Sequence, residues 1–171
     1  PLKKLREEEL EKYKVSRNPL NYIIEGTCIE IINEKNVIKM DTLFVNEKLC
    51  LNIFGIGFDA HIAYLFHSSV KRGYSTYLRH VFNEFNSFKP LSAEIISDGE
   101  VKAESFFMLS IANGSQYGNN ATISPQADIT DGIFEVCILK KFPWNKAPSM
   151  IMKLMNNTIN TSEYYSSFPS D

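Results

Sequence analysis

The chain has 171 residues, of which 44% are hydrophobic and 22% are charged, so it is long enough to form one domain with a proper core. Its formal net charge of −2 provides no basic field, which argues against non-specific binding of nucleic acid. The three cysteines occur singly, without a Cys-x-x-Cys pair, and indicate neither a zinc site nor a disulfide framework. No apolar run approaches the roughly 20 residues of a membrane-spanning helix, so any membrane contact is expected to be peripheral.

The first part of the chain is predicted to be helical. Residues 2–13 carry dense charge with only sparse leucines, and a short amphipathic helix is predicted after Pro19, ending at Gly26. From Cys28 onward the pattern changes to short runs rich in β-branched and aromatic residues, separated by turn residues. These runs predict strands at 28–33, 36–45 and 48–56, with turns at Glu34-Lys35-Asn36 and Asn46-Glu47-Lys48.

A turn that contains two glycines follows the third predicted strand. Gly55 and Gly57 lack the third glycine and the βαβ unit of a dinucleotide fingerprint, so a tight strand-to-helix turn is the simpler interpretation. Asp59 belongs to the residue types that cap helices, and we expect a helix to start there, with its apolar residues on one side. Lys71-Arg72-Gly73 is expected to end this helix.

The clearest periodicity marks a second helix, predicted from Ser75 to Ser87. Its apolar residues recur at intervals of three and four, which is typical of a helix with one buried side. This stripe consists of Tyr74, Tyr77, Leu78, Val81, Phe82 and Phe85. Such a stripe usually belongs to a protein core, and the wall of an apolar ligand pocket is the alternative.

The second half of the chain is predicted to consist mainly of paired strands. Asp98-Gly99 is a strong two-residue turn signal for one hairpin, and Asp131-Gly132 suggests a second pair. The residues at the end of the chain show no recognisable final element. The predicted elements are strands at 92–97, 101–112, 123–129 and 133–141, and a helix at 147–156.

The segment Ala112–Val136 has the most chemical content. An apolar run leads into Asn113-Gly114, and a polar loop is followed by an acidic turn that contains Asp128 and Asp131. A carboxylate in a tight turn, together with flanking backbone carbonyls, supplies the oxygen ligands that Mg²⁺ prefers. The alternative is that Asp131-Gly132 only closes a hairpin, and spacing alone does not separate the two.

Other groupings of reactive residue types give weaker signals. His61 and His67 lie six residues apart on a predicted helix, which is not a metal-ligand spacing. The sequence contains no P-loop and no Ser-His-Asp or Cys-His grouping with supporting motif context. A helix cap without further function is the simpler explanation of Asp59.

Three segments, taken together and in order, resemble the C-terminal half of the diacylglycerol kinase catalytic family. They are residues 52–63 (NIFGIGFDAHIA), 71–78 (KRGYSTYL) and 112–136, and the resemblance extends over about residues 18–160. This family includes bacterial lipid kinases and sphingosine kinases. The shared order is a Gly-x-Gly-Phe-Asp-Ala turn, helices, an Asn-Gly loop, then Pro-x-Ala-x-x-x-Asp-Gly and a β-rich end.

The resemblance implies a mainly β fold with helices (α+β), namely the β-sandwich C-terminal domain of a two-domain lipid kinase. Residues 1–27 are then a helical remnant of the N-terminal nucleotide-binding domain, and 28–171 are a truncated lipid-binding domain. The Gly-Gly-Asp-Gly-Thr loop of the family is absent, and Asp98-Gly99-Glu100 lies in the wrong place to supply its general base. The chain alone is therefore expected to be inactive.

For the complete protein, the resemblance implies ATP-dependent phosphorylation of the hydroxyl of diacylglycerol or a related lipid. ATP is expected to bind mainly to the missing N-terminal domain, and Mg²⁺ to this chain. The implied Mg²⁺ ligands are Asp131 and backbone groups of Asp128 and Ile133, and the implied substrate-binding residues are Asp59, His61, Asn113 and Gly114. The implied partner is a lipid at the membrane surface, with a cytoplasmic, peripherally membrane-associated protein, no nucleic acid, and a homodimer left open.

Two other functions remain open at this stage. A non-catalytic lipid-binding or regulatory module with the same fold would also lack the Gly-Gly-Asp-Gly-Thr loop and the general base. The abundance of aromatic residues, 12 Phe and 8 Tyr among them, also suits a plain β-sandwich that binds a small ligand such as a carbohydrate.

Overall fold

The computed structural model describes residues 40–71, 73–97 and 100–170, which all belong to one unit, Met40–Asp171. The helices predicted within residues 1–27 and the strand predicted at 28–33 lie outside the described residues. In chain order the elements are β1 (Leu43–Val45), β2 (Lys48–Cys50), β3 (Ile53–Gly57), α1 (Phe58–His67), α2 (Tyr74–Glu84), β4 (Leu91–Ser97), β5 (Glu100–Phe106), β6 (Met108–Ala112), β7 (Gln116–Gly118), β8 (Ala121–Thr122), β9 (Phe134–Leu139), α3 (Ala147–Met155) and β10 (Tyr165–Ser170), with 3₁₀ turns at Trp144–Lys146 and Ile159–Thr161.

A four-stranded antiparallel sheet, in the order β10-β9-β6-β3, forms the centre of the described unit. Its side chains alternate between two buried faces. Ile138 and Leu109 pack on one face with Phe106 of the β4–β5 hairpin, while Cys137 and Ala112 pack on the other. This mainly β architecture with a few helices confirms the predicted fold class.

The helices pack on an aromatic core at one end of the sheet. Phe58 of α1 stacks on Phe107 with ring centroids 4.5 Å apart, and Phe85 meets both rings edge to face. Phe85 is 3% exposed, so this end of the predicted stripe is core. Phe82, by contrast, keeps 59% of its surface exposed although its ring lies against Trp144.

Several local predictions are confirmed. The helices predicted at 75–87 and 147–156 are α2 and α3, with ends that differ by at most three residues. The pairing of Ser97 with Glu100 leaves a two-residue connection, as Asp98-Gly99 predicted. Asn46 and Glu47 adopt φ of 48° and 65°, the left-handed pair that a tight β1–β2 hairpin needs.

The single strand predicted at 101–112 is wrong, because the chain changes sheets at Phe107. β5 pairs with β4, whereas β6 pairs with β3 and β9. The Phe107 N–H donates to the Leu139 carbonyl at 2.7 Å, and the Phe107 carbonyl accepts from the Phe58 N–H at 2.9 Å. The backbone of Phe107 is therefore hydrogen-bonded to Leu139 and Phe58, while its ring lies in the aromatic core.

The predicted strand at 123–129 is also wrong, and the end of the chain, where the sequence showed no recognisable final element, contains β10. The N–H groups of Ile123 and Ser124 both donate to the Ser115 carbonyl, and a turn follows. β9 pairs instead with β6 and with β10, which is the strand that sequence reasoning missed. Pro169 is tolerated in β10 because β10 is an edge strand.

Candidate functional site

Two glycines shape the junction between β3 and α1. Gly57 has φ of 112°, which favours glycine, and it is the N-cap of α1. A Cβ at Gly55 would lie 2.1 Å from Asp59 Oδ2, so Gly55 leaves the space that this carboxylate occupies. Asp59 lies in the first helical turn, and the prediction that it caps the helix is wrong.

The Asp59 carboxylate faces the strand that follows the Asn-Gly loop. The Tyr117 hydroxyl donates to Asp59 Oδ2 at 3.4 Å and forms a second, very short hydrogen bond with the Ser110 hydroxyl. Asp59 Oδ1 is buried and has no hydrogen-bond partner among the described residues. The ring of Tyr117 remains 36% exposed, although Ser110 at its hydroxyl end is only 1% exposed.

Burial governs the protonation of this pair. Desolvation raises the pKa of the Asp59 carboxyl above its ordinary value of 3.8, and the Ala60 N–H and the Tyr117 hydroxyl offset this only in part. Desolvation, helped by the nearby Asp59 charge, raises the pKa of Tyr117 well above its ordinary value. Tyr117 therefore keeps its proton and donates it toward Asp59, whose carboxyl group retains one buried oxygen without a partner among the described residues.

We expect Asp59→Asn to stabilise the fold at neutral pH by about 1 kcal/mol, because it removes a poorly satisfied buried charge. The folded pKa is raised, so the native state retains a proton that the unfolded chain has released. Native stability therefore falls as pH rises from 3.8 through the folded pKa of Asp59. Urea denaturation across this pH range should show that fall in the parent protein and a flatter profile in Asp59→Asn.

The control is Glu94→Gln on β4, where the side chain is exposed. This variant should follow the pH profile of the parent protein. If Asp59→Asn were less stable than the parent protein at every pH, the prediction would be contradicted, because the carboxylate would then stabilise the fold.

His61 lies one helical turn into α1 and is held by two neighbours. Its Nε2 is 3.0 Å from Glu84 Oε2 at the end of α2, and its ring centroid is 5.3 Å from that of Phe88. The imidazole is about one-third exposed. These contacts fix the orientation of His61 and tie α1 to α2.

The Asn-Gly loop is fixed through backbone contacts. Asn113 is fully buried, and its Nδ2 donates to the carbonyls of Asp41 and Leu51 at 2.8 and 2.9 Å. The N–H groups of Asn113 and Gly114 both donate to the Asn52 carbonyl. A Cβ at Gly114 would lie 2.3 Å from Asn52 Oδ1, so glycine allows this close approach.

The acidic turn is held by local carboxylate contacts. Asp128 Oδ1 accepts from the N–H and the hydroxyl of Thr130, and Asp131 Oδ1 accepts from the Ile133 N–H at 2.9 Å. Asp131 Oδ2 makes no hydrogen bond with the described part of the chain. No group of three or more His, Cys, Asp and Glu side chains is placed to hold a metal among residues 40–71, 73–97 and 100–170.

Asp41, which sequence reasoning missed, links this turn to the Asn-Gly loop. Its carbonyl accepts from Asn113 Nδ2, and its Oδ2 accepts from the Gly132 N–H at 2.7 Å. Its own N–H donates to the Ile129 carbonyl at 2.8 Å. With Tyr117 bonded to Asp59, the structure brings together all three predicted parts of the site: the glycine turn, the Asn-Gly loop and the acidic turn.

Comparisons with known proteins concern the family and the fold of the chain. Residues 52–161 match the family described as "YegS C-terminal NAD kinase beta sandwich-like domain". The sequence matches no curated protein. In fold, the chain is similar to a "putative diacylglycerol kinase" from Bacillus anthracis str. Sterne, with a TM-score of 0.59 at 17% identity over 89% of this chain and 48% of the other.

A second structure from the same organism, named as a diacylglycerol kinase, gives a TM-score of 0.56 at 18% identity over 90% of this chain and 47% of the other. The chain thus spans about half the length of these structures. Because the family match covers more than half of the chain, the chain belongs to the family of the YegS C-terminal NAD kinase beta sandwich-like domain.

Proposed function

We propose that this chain is the acceptor-binding part of an ATP-dependent lipid kinase that phosphorylates the hydroxyl of diacylglycerol or a related lipid. The observation that carries the proposal is the junction of the glycine turn with the Asn-Gly loop through Asp59 and Tyr117. The family match, over residues 52–161, covers both motifs and supports the proposal. ATP is proposed to bind mainly to the part of the protein that this chain does not cover.

Phosphoryl transfer depends chiefly on positioning the acceptor hydroxyl and on neutralising charge. We assign the first task to this chain. Asp59 accepts a hydrogen bond from the lipid head group. His61, which is oriented by Glu84, lies beside that head group. Asn113 and Gly114 contribute through the loop backbone, because the Asn113 side chain is engaged in bracing that loop.

The acidic turn is proposed to hold one Mg²⁺, which when bound would stiffen the loop beside the acceptor. Its donor set fits a hard cation: the unengaged Oδ2 of Asp131 and backbone groups of Asp128 and Ile133, completed by water. Asp41 and Asp128 add negative charge nearby. In this proposal the turn supports the site, and its residues do not take part in the chemical step.

Asp131→Ala is expected to abolish any stabilisation by Mg²⁺, because it removes the only side-chain ligand of the proposed set. The parent protein should melt at a higher temperature with Mg²⁺ than with a chelator, whereas Asp131→Ala should melt at the same temperature in both. Asp128→Ala is the matched control, since it loses a turn contact but keeps its backbone and should still respond to Mg²⁺. An identical melting temperature with and without Mg²⁺ in all three proteins would favour the hairpin-only interpretation.

The proposed activity is tested with the full-length protein, ATP and Mg²⁺, by following transfer of labelled phosphate to long-chain diacylglycerol and to other lipid alcohols. We expect transfer, and a loss of about tenfold to a hundredfold in Asp59→Ala through misplacement of the acceptor. Glu94→Gln should retain the parent rate. Absence of transfer to any long-chain lipid alcohol would reject the proposed function.

Location is proposed to be cytoplasmic, with peripheral attachment to a membrane. None of the helices in the described ranges has the length and apolar character needed to cross a bilayer.

A further inference from the structure

The two helices that follow the glycine turn form an antiparallel hairpin, which we call the helical hairpin (residues 58–84). Three contacts define the pairing. His61 meets Glu84 near the base at 3.0 Å, the rings of Phe66 and Tyr77 meet with centroids 5.9 Å apart, and the Ser69 hydroxyl meets His80 Nε2 at 2.7 Å near the tip. The tip is therefore the segment around residues 68–73, at the far end from the Asp59 carboxylate.

The charge of the helical hairpin differs from that of the rest of the chain. Asp and Glu account for 20 of 171 residues, so a segment of 24 residues with average composition carries about three. Residues 60–83 carry none, but they contain Lys71, Arg72 and Arg79 and all three histidines of the chain. Lys71 and Arg79 are exposed, and neither forms an ion pair with a described carboxylate.

The helical hairpin also exposes large apolar side chains. Val70, beside Lys71 at the tip, is fully exposed at 102%, and Tyr64 on α1 is 69% exposed. Phe82 on α2 is 59% exposed even though one part of its ring contacts Trp144. Exposed apolar groups interspersed with cations suit the boundary between lipid head groups and acyl chains, where each kind of side chain finds a partner.

We propose that the tip of the helical hairpin docks on an anionic lipid bilayer, with Val70 inserted among the head groups and Lys71 and Arg79 beside lipid phosphates. Charge complementarity selects this occupant, because residues 60–83 carry cations and no carboxylate, and such a segment offers nothing to a basic partner and is attracted to a negative surface. The inference rests on the proposed function for its purpose, which is to hold the protein on the membrane that contains its lipid acceptor.

The test is cosedimentation of the full-length protein with phosphatidylcholine vesicles that contain or lack phosphatidylglycerol. We expect binding only when phosphatidylglycerol is present, with affinity falling as salt is added. Lys71→Gln should weaken binding about fivefold, the effect of removing one cation at an anionic surface. Val70→Asp should weaken it by about tenfold or more, because it places a charge where an apolar group inserts.

Two control variants match these changes outside the hairpin. Lys48→Gln removes an exposed cation on β2, and Ile96→Asp places a charge at an apolar residue of β4 that is 71% exposed. Both should bind vesicles like the parent protein. Equal weakening in the controls, or no weakening in Val70→Asp and Lys71→Gln, would overturn the proposal. Loss of self-association or of a protein partner in Val70→Asp, with vesicle binding unchanged, would also overturn it.

An activity measurement separates failure of this inference from failure of the proposed function. With a short-chain diacylglycerol dispersed in detergent, Val70→Asp should phosphorylate at the parent rate, and with vesicle-embedded diacylglycerol it should lose about tenfold. No transfer by the parent to either substrate would reject the kinase proposal and leave the vesicle result to stand on its own. Equal activity of parent and variant on vesicles would overturn the docking role.

Discussion

Phe107→Ala is expected to lower the free energy of unfolding by about 3–5 kcal/mol, the range for removing a buried phenylalanine ring. Phe107 is 1% exposed and contacts the rings of Phe58, Phe85, Phe88 and Phe142. The ammonium of Lys141 also lies 4.2 Å from its ring centroid. Truncation leaves a cavity that these neighbours share, so α1, α2 and the sheet lose packing together.

Chemical denaturation of three variants measures this effect. Phe107→Leu refills part of the cavity and should lose about half as much as Phe107→Ala. Phe82→Ala removes the same phenyl ring from a residue that is 59% exposed, and it should lower the free energy of unfolding by about 1 kcal/mol. Equal losses in Phe82→Ala and Phe107→Ala would contradict a core centred on Phe107.

Gly57→Ala is expected to destabilise the fold by about 3 kcal/mol or more, through two separate effects. Its φ of 112° is unfavourable for alanine. In addition, the new Cβ would lie 2.5 Å from the Phe107 carbonyl oxygen, which accepts the hydrogen bond of the Phe58 N–H. Relief of this clash would require the start of α1 to move away from the sheet, and Asp59 would move with it.

Gly73 provides a matched control for this prediction. It is the N-cap of α2 and has φ of 138°, but a Cβ there would meet nothing within 4 Å. Gly73→Ala therefore includes the strain of the dihedral angle without the clash, and we expect a loss of about 1–2 kcal/mol. Thermal melting that ranked the two variants equally would show that dihedral strain, rather than contact with Phe107, explains the glycine at position 57.

Short-range signals in the sequence were sufficient for several elements. Asn46-Glu47-Lys48 predicted a turn and Asp98-Gly99 predicted a hairpin, and the strand pairings confirm both, because tight turns depend on a few adjacent residues. The three- and four-residue spacing of apolar side chains predicted α2 and α3 for a similarly local reason.

The same local signals did not predict which strands pair with each other. The apolar run through Phe107 has no internal break, and nothing local shows that its two halves join different sheets. β10 reads as a polar tail because three of its six residues are serine, although Tyr165 and Phe168 pack against the core. Alternation along a strand indicates which side chains face the core, but it does not identify the neighbouring strand.

For the candidate site, the sequence by itself determined the order of the glycine turn, the Asn-Gly loop and the acidic turn, and with it the lipid-kinase resemblance that the family match supports. Only the tertiary structure decided how these parts are joined, through Asp41 to the acidic turn and through Tyr117 to Asp59. These hydrogen bonds connect residues that are 58 and 91 positions apart in the chain. Their geometry depends on strand register in the folded sheet, which no local pattern of residues encodes.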